Sequence, residues 1–252
     1  MTQTKIGHKI IHLERIDSTN NYAAKLCAEG EIAHGTVILA DMQTDGRGQR
    51  GNTWQSDPFS NLTMSLFLNA HPIIKNQSHF LNYIISLSLK DTLTRHVKKA
   101  KIKWPNDILI ENKKLAGILI ESQWGSQGLN SSIVGVGINL NQQSFENTLS
   151  TSLRNACGNF FQPYKIMLEF CFHLQERWSQ LSVDSLRDMK DEYDRGLWLR
   201  AEESYYVHNS SGKEFKAILV GTDDKGDLLL QKENGQIESF SNQSIRFKDR
   251  IM

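Results

Sequence analysis

Apolar and polar positions divide the chain into two differently patterned blocks. Residues 8–16 (HKIIHLERI) alternate loosely and predict a strand. Ser18 or Thr19 then offers a cap for a helix carrying Tyr22, Ala23, Leu26 and Cys27 on one face, with Gly30 as its stop. Residues 36–40 and 61–69 read as buried-type strands. Between them, residues 41–60 are polar and glycine-rich and keep neither a helical nor a strand period. Leu81, Ile84, Ile85 and Ser88 recur at helical spacing and predict a helix over 78–95. A short strand over 100–104 ends at Pro105. Residues 108–110 and 117–121 predict a hairpin around Asn112, and 132–140 a further strand.

The pattern changes after residue 160. From Pro163, residues Met167, Phe170, Cys171, Leu174, Trp178 and Leu181 recur at i, i+3 and i+4, the stripe of a long amphipathic helix with proline in its first turn. A second helical stretch ends near Gly196. Beyond it KEFKAILV, DLLLQ and QIESF are separated by DDKG and ENG, both hairpin signals. The expected architecture is α+β: a larger domain over residues 1–195, in which strands and helices mix, and a small β-barrel or meander over 196–252.

Composition narrows the function classes. Among 252 residues, Lys+Arg number 29 and Asp+Glu 28, a formal charge of +1. A nucleic-acid coat or membrane-surface protein is usually more basic, so both lose weight. No apolar run reaches the length of a membrane span, and the first residues carry no apolar signal core. Cys27, Cys157 and Cys171 are far apart and form no CxxC, which points to a reducing, cytoplasmic setting and offers no metal-ligand spacing. His8 and His12 stand four apart in a strand-like run, not on a helix, so they make no metal pair.

Four short segments carry candidate chemistry. Gly46-Arg47-Gly48-Gln49-Arg50-Gly51 formally matches a dinucleotide fingerprint, but the residues that follow cannot open a helix and position 71 is histidine, not an acid. Its glycines instead let the backbone approach a ligand, its arginines suit phosphate or carboxylate, and Trp54 can cover an apolar face. A solvated loop is the competing reading. Lys103-Trp104-Pro105-Asn106-Asp107 sets two polar side chains on a turn at a strand end, as a site would or a plain Asn–Asp turn. In Lys113-Lys114-Leu115-Ala116-Gly117, one lysine reaches inward as a point charge and the other is a solvated tip, which we assign to Lys113. Gly135-Val136-Gly137-Ile138-Asn139 puts glycines inside an apolar strand, marking either a close approach or a bulge.

Taken together these segments resemble biotin–protein ligases. The order Asp17-Ser18-Thr19-Asn20, Gln43 with GRGQRGNTW, KWPND, KLAGILIE and GVGIN spans about residues 12–141. The resemblance implies a biotin/lipoate ligase-like catalytic domain, a mixed sheet packed with helices, followed by an SH3-like barrel. It implies ATP-dependent biotin–[acetyl-CoA-carboxylase] ligase activity, with biotin and ATP as substrates and Mg²⁺ accompanying the nucleotide instead of sitting in a protein cage. Biotinoyl-5′-AMP forms first, and a lysine of a biotin carboxyl carrier domain then takes the biotin. The implied biotin residues are Ser18, Thr19, Asn20, Gln43, Gly46, Arg47, Gly48, Gln49, Lys114 and Gly117. Those implied for ATP and the adenylate are Arg50, Trp54, Asn106, Asp107, Lys114, Gly137 and Asn139, with Lys114, Arg47, Arg50 and Asp107 carrying the chemistry. Some members have arginine where this chain has Gln49, which keeps hydrogen bonding but loses a charge. The first motif begins by residue 14, which leads us to expect the short form without a DNA-binding domain, a monomer or homodimer with no DNA or membrane partner.

Two other readings compete. A lipoate–protein ligase or octanoyl transferase shares the architecture but needs an apolar tunnel for a linear chain. The C-terminal barrel as a nucleic-acid module would need a basic and aromatic stripe that its loops lack.

Overall fold

Strand alternation decides which side of the molecule each helix covers. The computed structural model describes residues 5–248. Its larger sheet runs in the order β1 (Lys9–Ile16), β2 (Thr36–Gln43), β3 (Leu62–Asn69), β7 (Gly128–Ile138), β6 (Lys113–Gly125), β5 (Asp107–Ile110) and β4 (Lys101–Lys103). Only β1 and β2 are parallel, because the chain returns between them through helix α1 (Thr19–Ala28); the other neighbours are antiparallel. On one face Ile38, Phe67 and Ile133 pack with Ala23 and Leu26 of α1. Their strand neighbours Val37, Leu39, Leu66 and Val134 point the other way, into the main core beneath α2 (His79–Thr94), α4 (Pro163–Ser179) and α5 (Val183–Gly196). A sheet covered on both faces reads as a continuous apolar run, which is why β2 and β3 looked buried in the sequence.

Helix α2 shows how burial replaces amphipathicity. Ile84, Ile85, Leu87 and Leu89 are all fully buried, as are Ser86, Ser88 and Thr92, so the helix is buried nearly all round. Each such apolar side chain contributes roughly 1.5–3 kcal/mol, and Ile84→Ala would cost about 2–5 kcal/mol. Helix α4 buries the stripe expected of it, including Met167, Phe170, Leu174 and Trp178. A reciprocal Ser182–Ser185 capping box starts α5.

A second, antiparallel sheet follows, in the order β11 (Ile237–Phe240), β10 (Leu228–Lys232), β9 (Glu214–Thr222), β8 (Glu203–His208) and β12 (Ile245–Phe247). Asp223 Oδ1 accepts from the Lys225 and Asp227 amides to form the β9–β10 turn. Tyr206, Leu219, Leu228 and Leu230 join the same apolar cluster as the first sheet.

The structure corrects several expectations. Ser18 is the N-cap of α1 by backbone geometry, but its side chain makes no capping bond. Strand β2 extends to Gln43, and a 3₁₀ turn at Gln49–Gly51 lies inside the segment read as structureless. Strand β12 and the short helix α3 (Leu153–Cys157) are too short to display a period, and β8 carries polar residues on both faces. Among the described residues no helix is long and apolar enough to cross a membrane.

Candidate active site

Three glycines clear a patch of the sheet on its α1 face. Gly135 pairs with Ser65 across β3, Gly137 with Thr63, and Gly117 with Gly137. Period-two alternation therefore puts all of them on one side. A Cβ at Gly135 would stand 2.5 Å from Asn20 Oδ1, and one at Gly137 would press into the Trp54 ring. The close approach that glycine was expected to mark is made here by side chains, Asn20 over Gly135 and Trp54 over Gly137.

Polar groups ring this patch. The Thr19 amide and hydroxyl both donate to Gln43 Oε1, at 2.8 and 3.1 Å. The Ser65 hydroxyl reaches Thr19 Oγ1 at 2.7 Å and Asn20 Oδ1 at 2.5 Å. Asn20 Nδ2 donates to Glu121 Oε2 at 2.7 Å. Ser18 is buried and lines the same pocket, as do Gly48 and Gln49. Arg47 closes the ring: Nη2 pairs with Glu121 Oε1 at 2.6 Å and Nη1 donates to Asn21 Oδ1 at 2.7 Å. In turn Asn21 donates to Asp17, and that hydrogen bond is the main cause holding the Asp17 carboxyl below its ordinary value. The Arg47–Glu121 pair is about two-fifths exposed on the arginine side, so its value lies in placing the loop, not in stability.

The glycine loop is a small hairpin. Gly48 N–H donates to Asn52 O, Trp54 N–H to Gly46 O, and Arg47 bridges Thr53. These bonds, with Trp54 seated on the sheet, give the polar, glycine-rich segment a defined fold. Arg50 stands exposed at the tip with φ +58°, facing a groove shared with Lys103, Asp107 and Arg246 and outside the first pocket.

Lys114 sits where two cavities meet. The register of β5 against β6 shifts so that Leu109 pairs with Lys114 and Ile108 with Ala116, leaving Leu115 as the extra residue. Such a bulge re-aims a side chain. Lys114 Nζ ion-pairs with Asp107 Oδ1 at 2.7 Å and lies 5.5 Å from the Trp54 ring centroid. Lys113 is exposed and lines neither cavity. Asn106 Nδ2 donates to Ile118 O at 2.7 Å, tying the turn between β4 and β5 to the central sheet. The second cavity runs past Gly46, Trp54, Lys114, Gln142 and Glu146. Asn139 lines it, donates to Thr151 O at 3.0 Å, and keeps a buried Oδ1 without a partner. A buried orphan acceptor costs free energy until a donor arrives, and an exocyclic amine would supply one.

Sequence reasoning missed Ser65, Glu121 and the 142–147 wall of the second cavity. Ser65 was visible in principle: in LTMSLFLN it shares period-two parity with Thr63, polar residues in an otherwise apolar strand. Glu121 ends an apolar run but needs Asn20 and Arg47 beside it to have meaning.

Two cavities that share one tryptophan and meet at one ammonium suit an enzyme that joins two ligands, one of them anionic. The chain belongs to the biotin/lipoate A/B protein ligase family, whose model matches residues 12–139. It is 30% identical over 239 residues to a bifunctional ligase/repressor BirA of Bacillus spizizenii, covering 91% of this chain and 71% of that one. A biotin–[acetyl-CoA-carboxylase] ligase of Paracoccus denitrificans is also 30% identical, over 89% of this chain and 95% of its own. Among solved structures, a biotin protein ligase from Aquifex aeolicus in complex with biotin and ATP superposes with a TM-score of 0.78 at 27% identity, over 96% of this chain and 100% of that one.

Proposed function

We propose that the chain is a biotin–protein ligase that activates biotin with ATP and transfers it to a lysine of a biotin carboxyl carrier domain. The observation that carries this reading is the chain of hydrogen bonds Gln43–Thr19–Ser65–Asn20, which gathers polar groups over the glycine patch. A bicyclic ureido ring needs convergent donors and acceptors, whereas the linear chain of lipoate needs an apolar tunnel. The names of the relatives and the ligands of the Aquifex aeolicus structure agree with biotin.

In this reading the biotin carboxylate oxygen attacks the α-phosphorus of ATP, and pyrophosphate leaves with the bond it breaks. Lys114 then lies between carboxylate and phosphate, where its charge offsets the negative charge gathered as they meet. Asn139 Oδ1 accepts from the adenine amine. Trp54 bounds the adenylate, Arg50 reaches it from the neighbouring groove that it shares with Asp107 and Lys114, and Arg47 and Gln49 hold the loop over biotin. In the second step a carrier lysine amine attacks the acyl carbon, AMP leaves, and Asp107 is placed beside Lys114 to receive or steer the released proton. Positioning supplies most of the catalysis, since no enzyme nucleophile is used. Mg²⁺ would supply charge neutralisation on the phosphates.

We read residues 1–195 as the catalytic domain and 196–252 as a C-terminal SH3-like domain, supported by the separate five-stranded sheet. The acceptor is a carrier domain of a biotin-dependent carboxylase, and the setting is cytoplasmic. The test is pyrophosphate release: biotin and MgATP without acceptor should give a single turnover of bound acyl-adenylate. No release would contradict the proposal.

A further inference from the structure

The turn that presents Asn106 and Asp107 is gripped from behind at one atom. Pro105 O accepts two side-chain hydrogen bonds, from Asn82 Nδ2 of α2 at 2.7 Å and from Tyr193 OH of α5 at 3.0 Å. Both lone pairs of one carbonyl are thus held by two different helices. Tyr193 is fully buried, and its ring stacks on Tyr83 with centroids 4.1 Å apart. Tyr83 OH donates to Thr222 Oγ1 at 2.8 Å, and Thr222 donates to Asp194 Oδ1, so the tyrosine pair is braced in turn. Two residues beyond the gripped carbonyl, Asp107 Oδ1 meets Lys114 Nζ.

A fully buried tyrosine beside a buried Asp194 costs desolvation, and a phenylalanine would fill the same space without it. The hydroxyl's one partner outside the helices is the turn that carries Asp107. We propose that Tyr193, with Asn82, is a positioning residue: it sets the Trp104–Asp107 turn so that Asp107 aims Lys114 at the carboxylate and phosphate. This rests on the biotin-ligase reading and goes beyond it by giving a non-contacting helix residue a role in the chemical step.

The consequence separates rate from binding. Tyr193→Phe keeps the ring and its stacking, so the protein should fold with a melting temperature lowered by a few degrees at most. The biotin ring is held by groups on α1, β2 and β3, and Asn106 is the one residue of this turn that lines the same pocket, so biotin KM should change less than the rate and stay within about twofold. Adenylate formation should slow about 3- to 10-fold, the range one ordinary hydrogen bond covers when its loss falls on the transition state. Asn82→Ala, which removes the other bond, should do the same.

The deciding experiment is a double-mutant cycle read by single-turnover pyrophosphate release. If Tyr193 acts through Asp107, Tyr193→Phe slows the wild-type background but has no further effect in Asp107→Asn. Equal fold-losses in both backgrounds, or an unchanged rate in the single variant, would overturn the positioning role while leaving the ligase reading intact. Wild-type enzyme that releases no pyrophosphate with biotin would overturn both.

Discussion

Lys114 is the one cation among the described residues that lines both cavities, and the size of the effect of replacing it by alanine follows from its contacts. Its Nζ is 2.7 Å from Asp107 Oδ1, and that lysine is about one-third exposed while the aspartate is about one-fifth exposed. A charge-assisted contact of this kind is worth about 1.5–3 kcal/mol when it is made to a transition state, or roughly a 10- to 150-fold loss of adenylation rate. Stability should fall less, by about 1 kcal/mol or under, because a partly exposed pair is screened; for a chain of this size that is about 2–4 °C. Lys113→Ala is the control. It is the adjacent lysine, exposed, with its side chain outside both cavities. The assay is quenched-flow pyrophosphate release at saturating biotin and ATP, with thermal melts alongside. Equal losses in the two variants, or a Lys114→Ala rate above one-third of wild type, would refute the assignment.

Gly137→Ala would place a Cβ 2.6 Å from Trp54 Cζ2 and 2.8 Å from Nε1, so Trp54 must leave the sheet. Overpacking of this kind costs roughly 1–3 kcal/mol, and calorimetry with a non-hydrolysable acyl-adenylate analogue should show weakened binding; unchanged affinity would show that Trp54 does not shape the site. Burial lowers the pKa of His34, His71 and His79 from 6.5, and at His34 the nearby His8 and His71 add to it. The unfolded chain therefore binds these protons more readily, stability is full above about pH 6.5, and it declines as pH falls below that value. Urea midpoints at pH 7.5 and 5.5 should differ in that sense, and a higher midpoint at pH 5.5 would reverse the sign argued here. Trypsin should cut after exposed Arg50 in the free protein, and biotin with ATP should protect the loop more than ATP alone. Equal cutting in all three states would count against a loop that closes on the adenylate.

Much of the catalytic domain was legible because its elements are long enough to show a period. The stripe of α4 and the apolar runs of β2 and β3 each repeat several times within one element. Strand β12, three residues long, cannot show alternation, and β8 has polar residues on both faces. The site divides in the same way. The sequence separated Lys114 from Lys113 only as one inward and one solvated lysine, and the bulge at Leu115 that re-aims Lys114 into the two site cavities left no mark in it. Glycines at 135 and 137 read as a close approach or a bulge, with nothing to say what approaches, and Gly117 was singled out only through the resemblance. Ser65 and Glu121 went unread because their roles exist only once α1, β3 and β6 are side by side. The grip on Pro105 joins residues 23 and 88 positions away in the chain, a relation no local pattern encodes.

The central claim is that this polar, glycine-floored pocket selects biotin and that the chain passes it to a carrier lysine. Intact-mass spectrometry tests this directly, with a biotin carboxyl carrier domain, MgATP, and either biotin or lipoate offered separately. The account predicts one biotinoyl addition on one lysine, dependent on ATP, and none from lipoate. An acceptor that gains mass from lipoate and not from biotin would contradict it.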